Sequence, residues 1–160
     1  MDFRNLSVGD APTERVDVSE MLTFTPTDGD GKPYLNGGGE PLVIRFHDVS
    51  GLEGRREMLK TSIRYPFVAL PKEPSEEDLA RAASNEQARQ RESWIRAIKG
   101  WNLRNGKDGD EIEFSVDNAL QFFDLFENVA AVVAEHALAL VRAAGNGRRG
   151  SDSGPRKKAG

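Results

Sequence analysis

The chain has 160 residues, of which 38% are hydrophobic and 30% are charged, and its formal net charge is −4. This length favours a single soluble domain with a core of modest size. Because the chain has no cysteine, disulfides, thiolate metal sites and a cysteine nucleophile are excluded. No apolar run approaches the roughly 20 residues that cross a bilayer, and the N-terminus has no apolar signal segment. We therefore expect a cytoplasmic protein that does not bind membranes.

The charge is distributed unevenly along the sequence. Residues 145–160 contain five basic residues and one acidic residue, a net of +4, so residues 1–144 carry −8 to give the total of −4. An acidic body argues against general nucleic-acid binding. The C-terminal segment has no aliphatic residue larger than alanine, and we predict a disordered basic tail over 145–160. A cationic arm that touches DNA or RNA is the alternative for this tail.

The front of the chain has the pattern of a β-hairpin. After a loose lead-in over 1–15, residues 16–25 alternate in polarity as a strand does, and residues 42–47 alternate again. The segment between them is rich in Gly, Pro, Asn and Asp, which is typical of a long turn. We predict an antiparallel hairpin over 16–47 that packs on helices or on another chain, because a lone hairpin is marginal in water.

A first helix is predicted after the hairpin. Ser50 is a suitable N-cap, and the helix ends near Ile63 because Pro66 follows. Its narrow apolar stripe consists of Leu52, Arg56, Leu59 and Ile63, with Met58 near the same face. An apolar link follows over residues 65–71, with a proline near each end.

A second helix is predicted from Ser75 to Lys99. Ser75 is the N-cap, three acidic residues follow in the first turn where the helix dipole favours them, and Gly100 suits the C′ position. The long polar middle of this helix indicates that only its two ends are buried.

The last helical region is predicted from Val116 to about Ala144, with Ser115 as its N-cap. Its apolar residues follow the spacing of an amphipathic helix, and a break around Glu127 and Asn128 would divide it into two helices. The predicted fold class is therefore α+β, with one domain over 16–144. An N-terminal β-hairpin precedes a small bundle of three to four helices over 50–144 and the basic tail.

Two glycine-rich segments resemble ligand loops only in part. Asp28-Gly-Asp30-Gly begins like a calcium loop, but an EF-hand requires ligands where Lys32 and Gly39 stand. The Gly37 to Gly39 run is not followed by the G-K-[ST] sequence of a phosphate loop, so we interpret it as a flexible tip.

Candidate chemistry is sparse in the rest of the chain. His47 and His136 share no motif that would join them in a metal or catalytic pair, and no carboxylate pair stands beside a motif that would place it. The sequence therefore predicts no catalytic residue, no metal site and no cofactor, and we expect the protein not to be an enzyme.

Aromatic residues are concentrated between Trp94 and Phe126, a stretch that holds both tryptophans and four of the eight phenylalanines. Most of them are expected in the core, with Trp101 as a buried anchor at the Gly100 break. The apolar patch around Phe122 and Phe126 is wider than one helix face requires, so a protein-binding surface is the alternative. The candidate partner-binding residues are Trp101, Phe122, Phe123 and Phe126.

Several motifs occur along the chain in a characteristic order. G-E-P at 39–41 precedes the strand L-V-I-R-F, D-V-S at 48–50 is followed by two arginines, and I-K-G-W-N-L at 98–103 is followed by a D-G turn and by F-S-V-D-N-A-L at 114–120. Over about residues 16–140 this order resembles the small tail assembly chaperones of long-tailed bacteriophages and prophages.

The resemblance implies a non-catalytic protein that binds the tape-measure protein during tail assembly, with tail-tube subunits and self-association as further candidates. It also implies a location in the host cytoplasm and absence from the mature virion. The alternative is a structural virion protein, such as a head–tail connector or a tail-tube component, which would form stable rings and remain in purified particles.

Overall fold

A computed structural model describes the backbone of residues 18–158 and the side chains of residues 18–145. The predicted lead-in over 1–15 and the start of the first predicted strand lie outside the described residues. Within them, the chain forms a three-stranded antiparallel sheet and four α-helices. The predicted α+β class is therefore confirmed.

The sheet consists of β1 (Thr23–Phe24), β2 (Ile44–Phe46) and β3 (Ile98–Trp101), in that spatial order. β1 pairs with β2, as the sequence predicts, and Phe24 lies opposite Ile44. β1 is much shorter than the predicted strand because Ser19–Met21 form a 3₁₀ turn, in which the Met21 N–H donates to the Val18 carbonyl.

β3 corrects the prediction in two respects. The second helix ends at Arg96 rather than at Lys99, and the next residues leave it to form a strand, so the β structure is not confined to residues 16–47. The reason is non-local: β2 is fully buried at Ile44, and pairing with β3 satisfies the backbone groups on its second edge. Gly100 is then a strand residue, and a Cβ there would lie 2.9 Å from the Arg45 guanidinium.

Four helices follow the hairpin in the described part of the chain: α1 (Leu52–Arg64), α2 (Glu76–Arg96), α3 (Val116–Leu125) and α4 (Glu127–Lys158). Two of the three predicted N-caps are confirmed. The Ser75 hydroxyl accepts from the Asp78 N–H, and the Ser75 N–H donates back to Asp78, which lowers the pKa of that carboxyl. The Ser115 hydroxyl accepts from the Asn118 N–H.

The predicted cap at Ser50 is wrong. The N-cap of α1 is Gly51, which makes no side-chain capping bond. The Ser50 hydroxyl donates instead to the Asp48 carboxylate at 2.5 Å, within a tight turn ahead of the helix. Serine side chains compete in this way for local turns as readily as for caps.

The last helical region is divided at Phe126, next to the predicted break. α4 continues to Lys158, beyond the predicted end near Ala144. By length and composition alone, the part from Glu127 to Gly145 could cross a membrane, but a core helix passes the same test.

The core lies between one face of the sheet and helices α2, α3 and α4. Its buried hydrophobic residues are Val18, Leu42, Ile44, Phe46, Ile95, Ala97, Ile98, Trp101, Leu103, Ala119, Phe123, Val129, Val133, Ala137 and Leu140. No residue of α1 belongs to this set. α1 packs on α2 from outside, and its partly buried Met58 contacts the core.

The Gly37 to Gly39 run is not the flexible tip that the sequence indicates. Asn36 is buried beneath it, and the Asn36 side-chain oxygen accepts from the Gly38 N–H at 2.7 Å. The Asn36 amide donates to the Asn102 carbonyl, which ties this turn to the segment after β3. Gly37 has φ of +88°, and a Cβ there would lie 2.2 Å from the Arg104 carbonyl oxygen.

Replacement of Gly37 by alanine is expected to destabilise the fold more than the same change at Gly39. Both residues have positive φ, which costs alanine about 1–2 kcal/mol. Only Gly37 also meets the Arg104 backbone, and such overpacking adds about 1–3 kcal/mol. Thermal or urea unfolding of the two variants measures the difference. Equal losses of stability would show that the Arg104 contact is not tight in solution.

Candidate protein-binding surfaces

Trp101 is the centre of an aromatic cluster and is 8% exposed. Its indole N–H donates to the Ile112 carbonyl at 2.6 Å, and its ring centroid lies 5.0 Å from that of Phe114 and 5.5 Å from that of Phe122. Burial of Trp101 is therefore confirmed, although the residue lies in β3 rather than at a break between helices.

The other candidate aromatic residues differ in their exposure. Phe123 is fully buried, with its ring 4.9 Å from Trp94, and it belongs to the core. Phe122 is half-buried and connects Trp101 to Phe126, whose ring lies 4.9 Å away. The structure thus brings all four predicted residues together, but it places two of them where a partner has no access.

Phe126 is 51% exposed, and its neighbour Leu125 is also exposed. Phe126 is the C-cap of α3, with φ of −118° and ψ of 69°, so the chain turns there before α4 begins. The two side chains form an apolar projection that we call the α3–α4 corner. The acidic residues Asp124 and Glu127 flank it, and Asp124 is paired with Arg91 at 2.7 Å.

A second exposed apolar surface lies on α1, where the sequence predicts a narrow apolar stripe. Leu52, Leu59 and Ile63 face solvent, with Ile63 81% exposed. In the link that follows, Phe67 is 94% exposed and Val68 is also exposed. We call these five residues the α1–link surface. The aliphatic residues of the predicted apolar stripe of α1 are therefore exposed.

The inner face of α1 explains this outcome. Gly54 and Thr61 are its buried residues, and a Cβ on Gly54 would lie 2.5 Å from the Asp48 carbonyl oxygen, so the helix approaches that turn closely. Glu92 of α2, which is 1% exposed, accepts from Arg64 of α1 at 2.8 Å. Polar contacts, small residues and the partly buried Met58 thus attach α1 to the body, while Leu52, Leu59 and Ile63 remain outside.

Beside these surfaces, a groove of about 1120 Å³ runs between α2 and α4. Its α4 side includes four alanines, with Leu138 and Val141 further along, and its α2 side is mostly polar. Met58, Trp94 and Phe123 also line it, but they are partly or fully buried, which leaves few large apolar side chains for a partner to contact. We therefore regard the two exposed surfaces as the stronger candidates.

The histidines do not form a site in the described structure. His136 stacks on Phe24 with 3.9 Å between ring centroids, and its Nε2 donates to the Met21 carbonyl at 2.7 Å. These contacts engage His136 in joining α4 to the hairpin. Across residues 18–158, no group of three or more His, Asp or Glu residues could hold a metal ion.

The chain was compared with models of protein families, with curated proteins and with solved structures. None of these comparisons gives a significant match.

Proposed function

We propose that the chain is a non-catalytic tail assembly chaperone that binds the tape-measure protein in the host cytoplasm. The proposal rests on the motif order over residues 16–140 and on one structural observation: large apolar side chains are exposed at the α3–α4 corner and on the α1–link surface. Exposed apolar residues that cluster, rather than stand alone, are typical of protein-binding surfaces.

The charge of the protein suits this role. Residues 18–145 contain 15 basic and 21 acidic residues, a net of −6, so the body repels its own copies while apolar contacts hold a partner. A long tape-measure protein needs its apolar helix faces covered before assembly. Apolar anchors that receive one face of an amphipathic helix are a common solution to this problem.

The α3–α4 corner is the part of the predicted aromatic patch that a partner can reach. Half of the Phe126 side chain is exposed, and its ring packs on the half-buried ring of Phe122. An exposed aromatic side chain held in place by its neighbours is a suitable binding anchor. Phe122 is a less suitable probe of binding than the sequence suggests. Its ring also packs on Trp101, so a charge at this position would disturb the core.

Phe126→Asp is expected to weaken binding to the co-expressed tape-measure protein about tenfold or more, because a buried aromatic anchor contributes roughly 2 kcal/mol or more. Affinity is measured by titration of the purified proteins. The matched control is Leu35→Asp, because Leu35 is similarly exposed at 59% and lies in the turn before β2. Both variants should melt close to the parent protein.

Two further arms of the same titration test the basic C-terminal segment. Deletion of residues 146–160 should leave affinity unchanged, and moderate salt should change it little, because screening weakens charge contacts rather than burial. If the deletion abolishes binding while Phe126→Asp has no effect, recognition is electrostatic and the corner is not the site. Retention of the protein in purified particles would instead support a structural virion role.

A further inference from the structure

We infer that the α1–link surface is a second docking site, which receives an amphipathic helix of another protein whose apolar face is bordered by acidic residues. The inference concerns a surface on a different helix from the α3–α4 corner. It does not depend on which protein supplies the helix, and so it does not rest on the proposed function.

The α1 part of this surface is a stripe along one face of the helix, with Arg56 beside it between Leu52 and Leu59. With about 100° per residue, Leu52, Leu59 and Ile63 lie within about 20° of one direction, while Gly54 and Thr61 point to the opposite side. The stripe covers 11 residue steps, or about 16 Å of helix axis. This length matches about three turns of a partner helix. Phe67 and Val68 extend the apolar surface beyond the end of α1.

The stripe has a basic border. α1 contains four basic and two acidic residues, a net of +2, on a body whose net charge is negative. Arg55 and Arg56 are exposed beside the stripe, and neither has an ion-pair partner among the described residues. Lys60 stands on the same border as Arg56 and is paired with Glu57 at 2.5 Å. Two guanidinium groups are thus free to bind carboxylates of a partner.

The basic border of the stripe favours an acid-bordered helix over a second copy of the chain as the bound partner. A two-fold contact between two α1 helices would place the basic border of one copy against the same border of the other. Like charges in such a contact oppose association.

Charge also argues against a lipid surface. The exposed residues Glu73, Glu76 and Glu77 follow the link and Lys72, and an extended anionic surface would face them together with the acidic body. An acid-bordered helix covers only the stripe and its basic border. Its apolar residues can cover the stripe while its carboxylates accept from Arg55 and Arg56, and arginine binds carboxylates in a well-defined bidentate geometry.

The test uses the full chain and two synthetic amphipathic peptides of about five helical turns. Both peptides have the same Leu and Ile face, and its borders carry Glu in one and Lys in the other. Fluorescence anisotropy measures binding. We expect the Glu peptide to bind and the Lys peptide to bind at least about tenfold more weakly, because each exposed charge contact contributes a factor of a few.

Two variants locate the interaction. Ile63→Asp should weaken Glu-peptide binding about tenfold or more, because a buried isoleucine is replaced by a charge. The double variant Arg55→Glu and Arg56→Glu should reverse the preference between the peptides. Ile63 is 81% exposed, so its replacement should leave the melting temperature unchanged, which separates a binding defect from unfolding. Phe126→Asp tests whether the peptide binds at the α3–α4 corner instead, and Leu35→Asp, which is exposed outside both surfaces, is the control.

Four results would overturn the inference. The first is equal binding of both peptides, and the second is loss of Glu-peptide binding in Phe126→Asp but not in Ile63→Asp. The third is a dimer in sedimentation that Ile63→Asp dissociates, which would identify a second copy as the occupant. The fourth is binding to vesicles of anionic phospholipid without binding to either peptide, which would identify a lipid surface.

Discussion

Trp101→Ala is expected to lower the free energy of unfolding by about 3–5 kcal/mol, which is the usual cost of deleting a large buried aromatic side chain. Trp101 is 8% exposed and contacts the rings of Phe114 and Phe122, so its removal leaves a cavity bordered by aromatic side chains that cannot close it easily. It also leaves the Ile112 carbonyl without its indole donor. For a small domain this is a large share of the total stability.

Urea unfolding followed by circular dichroism measures this loss. Trp101→Phe provides a graded comparison, because it keeps much of the aromatic packing and removes the indole N–H. Trp101→Phe should lower the free energy of unfolding less than Trp101→Ala does, because the phenylalanine ring keeps part of the aromatic packing. Phe126→Ala is the control, since Phe126 is half exposed and its loss should have a small effect on stability. An unchanged midpoint for Trp101→Ala would mean that the cluster is open in solution and that Trp101 is accessible to a partner.

Local signals in the sequence were the most reliable guides to this fold. Ser75 and Ser115 were predicted as N-caps, and both make the capping bond, because capping depends on a residue and its three successors. The break next to Phe126 was also predicted from the local sequence, around Glu127 and Asn128. Ser50 shows the limit of the approach, since its hydroxyl had a nearer acceptor in Asp48.

Non-local requirements could not be read from the sequence. The segment I-K-G-W follows a long helix without interruption, and only the unpaired edge of β2 determines that it becomes a strand. The stripe on α1 shows a related limit. Periodicity tells which face of a helix is apolar, but not whether the protein buries that face. Here the opposite face packs, through Gly54 and Thr61, and the predicted apolar stripe is exposed.

The sequence predicts which aromatic residues form the candidate site, but it predicts only partly which of them are exposed. Trp101, Phe122, Phe123 and Phe126 do form one cluster, because they are close in sequence and share an apolar environment. Which of them a partner could touch depends on the turn at Phe126. The contribution of Leu125 was missed, although its place next to a predicted helix break was a usable signal.

The attachment of α1 leads to the second large expected effect. Glu92 is 1% exposed and accepts from Arg64 at 2.8 Å and from Arg96 at 3.4 Å. Arg96 also lies 3.7 Å from Glu57 of α1, so these charges form one network between the two helices. Met58 is the hydrophobic residue of α1 that packs against the core, and it is only partly buried, so this network is a main source of the contact between α1 and α2.

Glu92→Ala is therefore expected to cost about 2–4 kcal/mol. Removal of one partner of a buried ion pair costs roughly 3–5 kcal/mol, and the value is smaller here because Arg64 is half exposed and Arg96 keeps Glu57. Glu92→Gln keeps the shape and one acceptor, and its cost should be lower, at about 1–2 kcal/mol. Arg64→Ala, which removes the exposed partner, should have the smallest effect, at about 1 kcal/mol.

The effect of Glu92→Ala should also be local, which gives it a signature distinct from that of Trp101→Ala. In native-state hydrogen exchange, amides of α1 should lose protection in Glu92→Ala while those of β2 keep it, because elements attached by few apolar contacts open separately from the core. In Trp101→Ala, protection should fall in the sheet and in the helices together. If Glu92→Ala exposes β2 as readily as α1, the ion network supports the whole domain. The separate attachment of α1 would then be wrong.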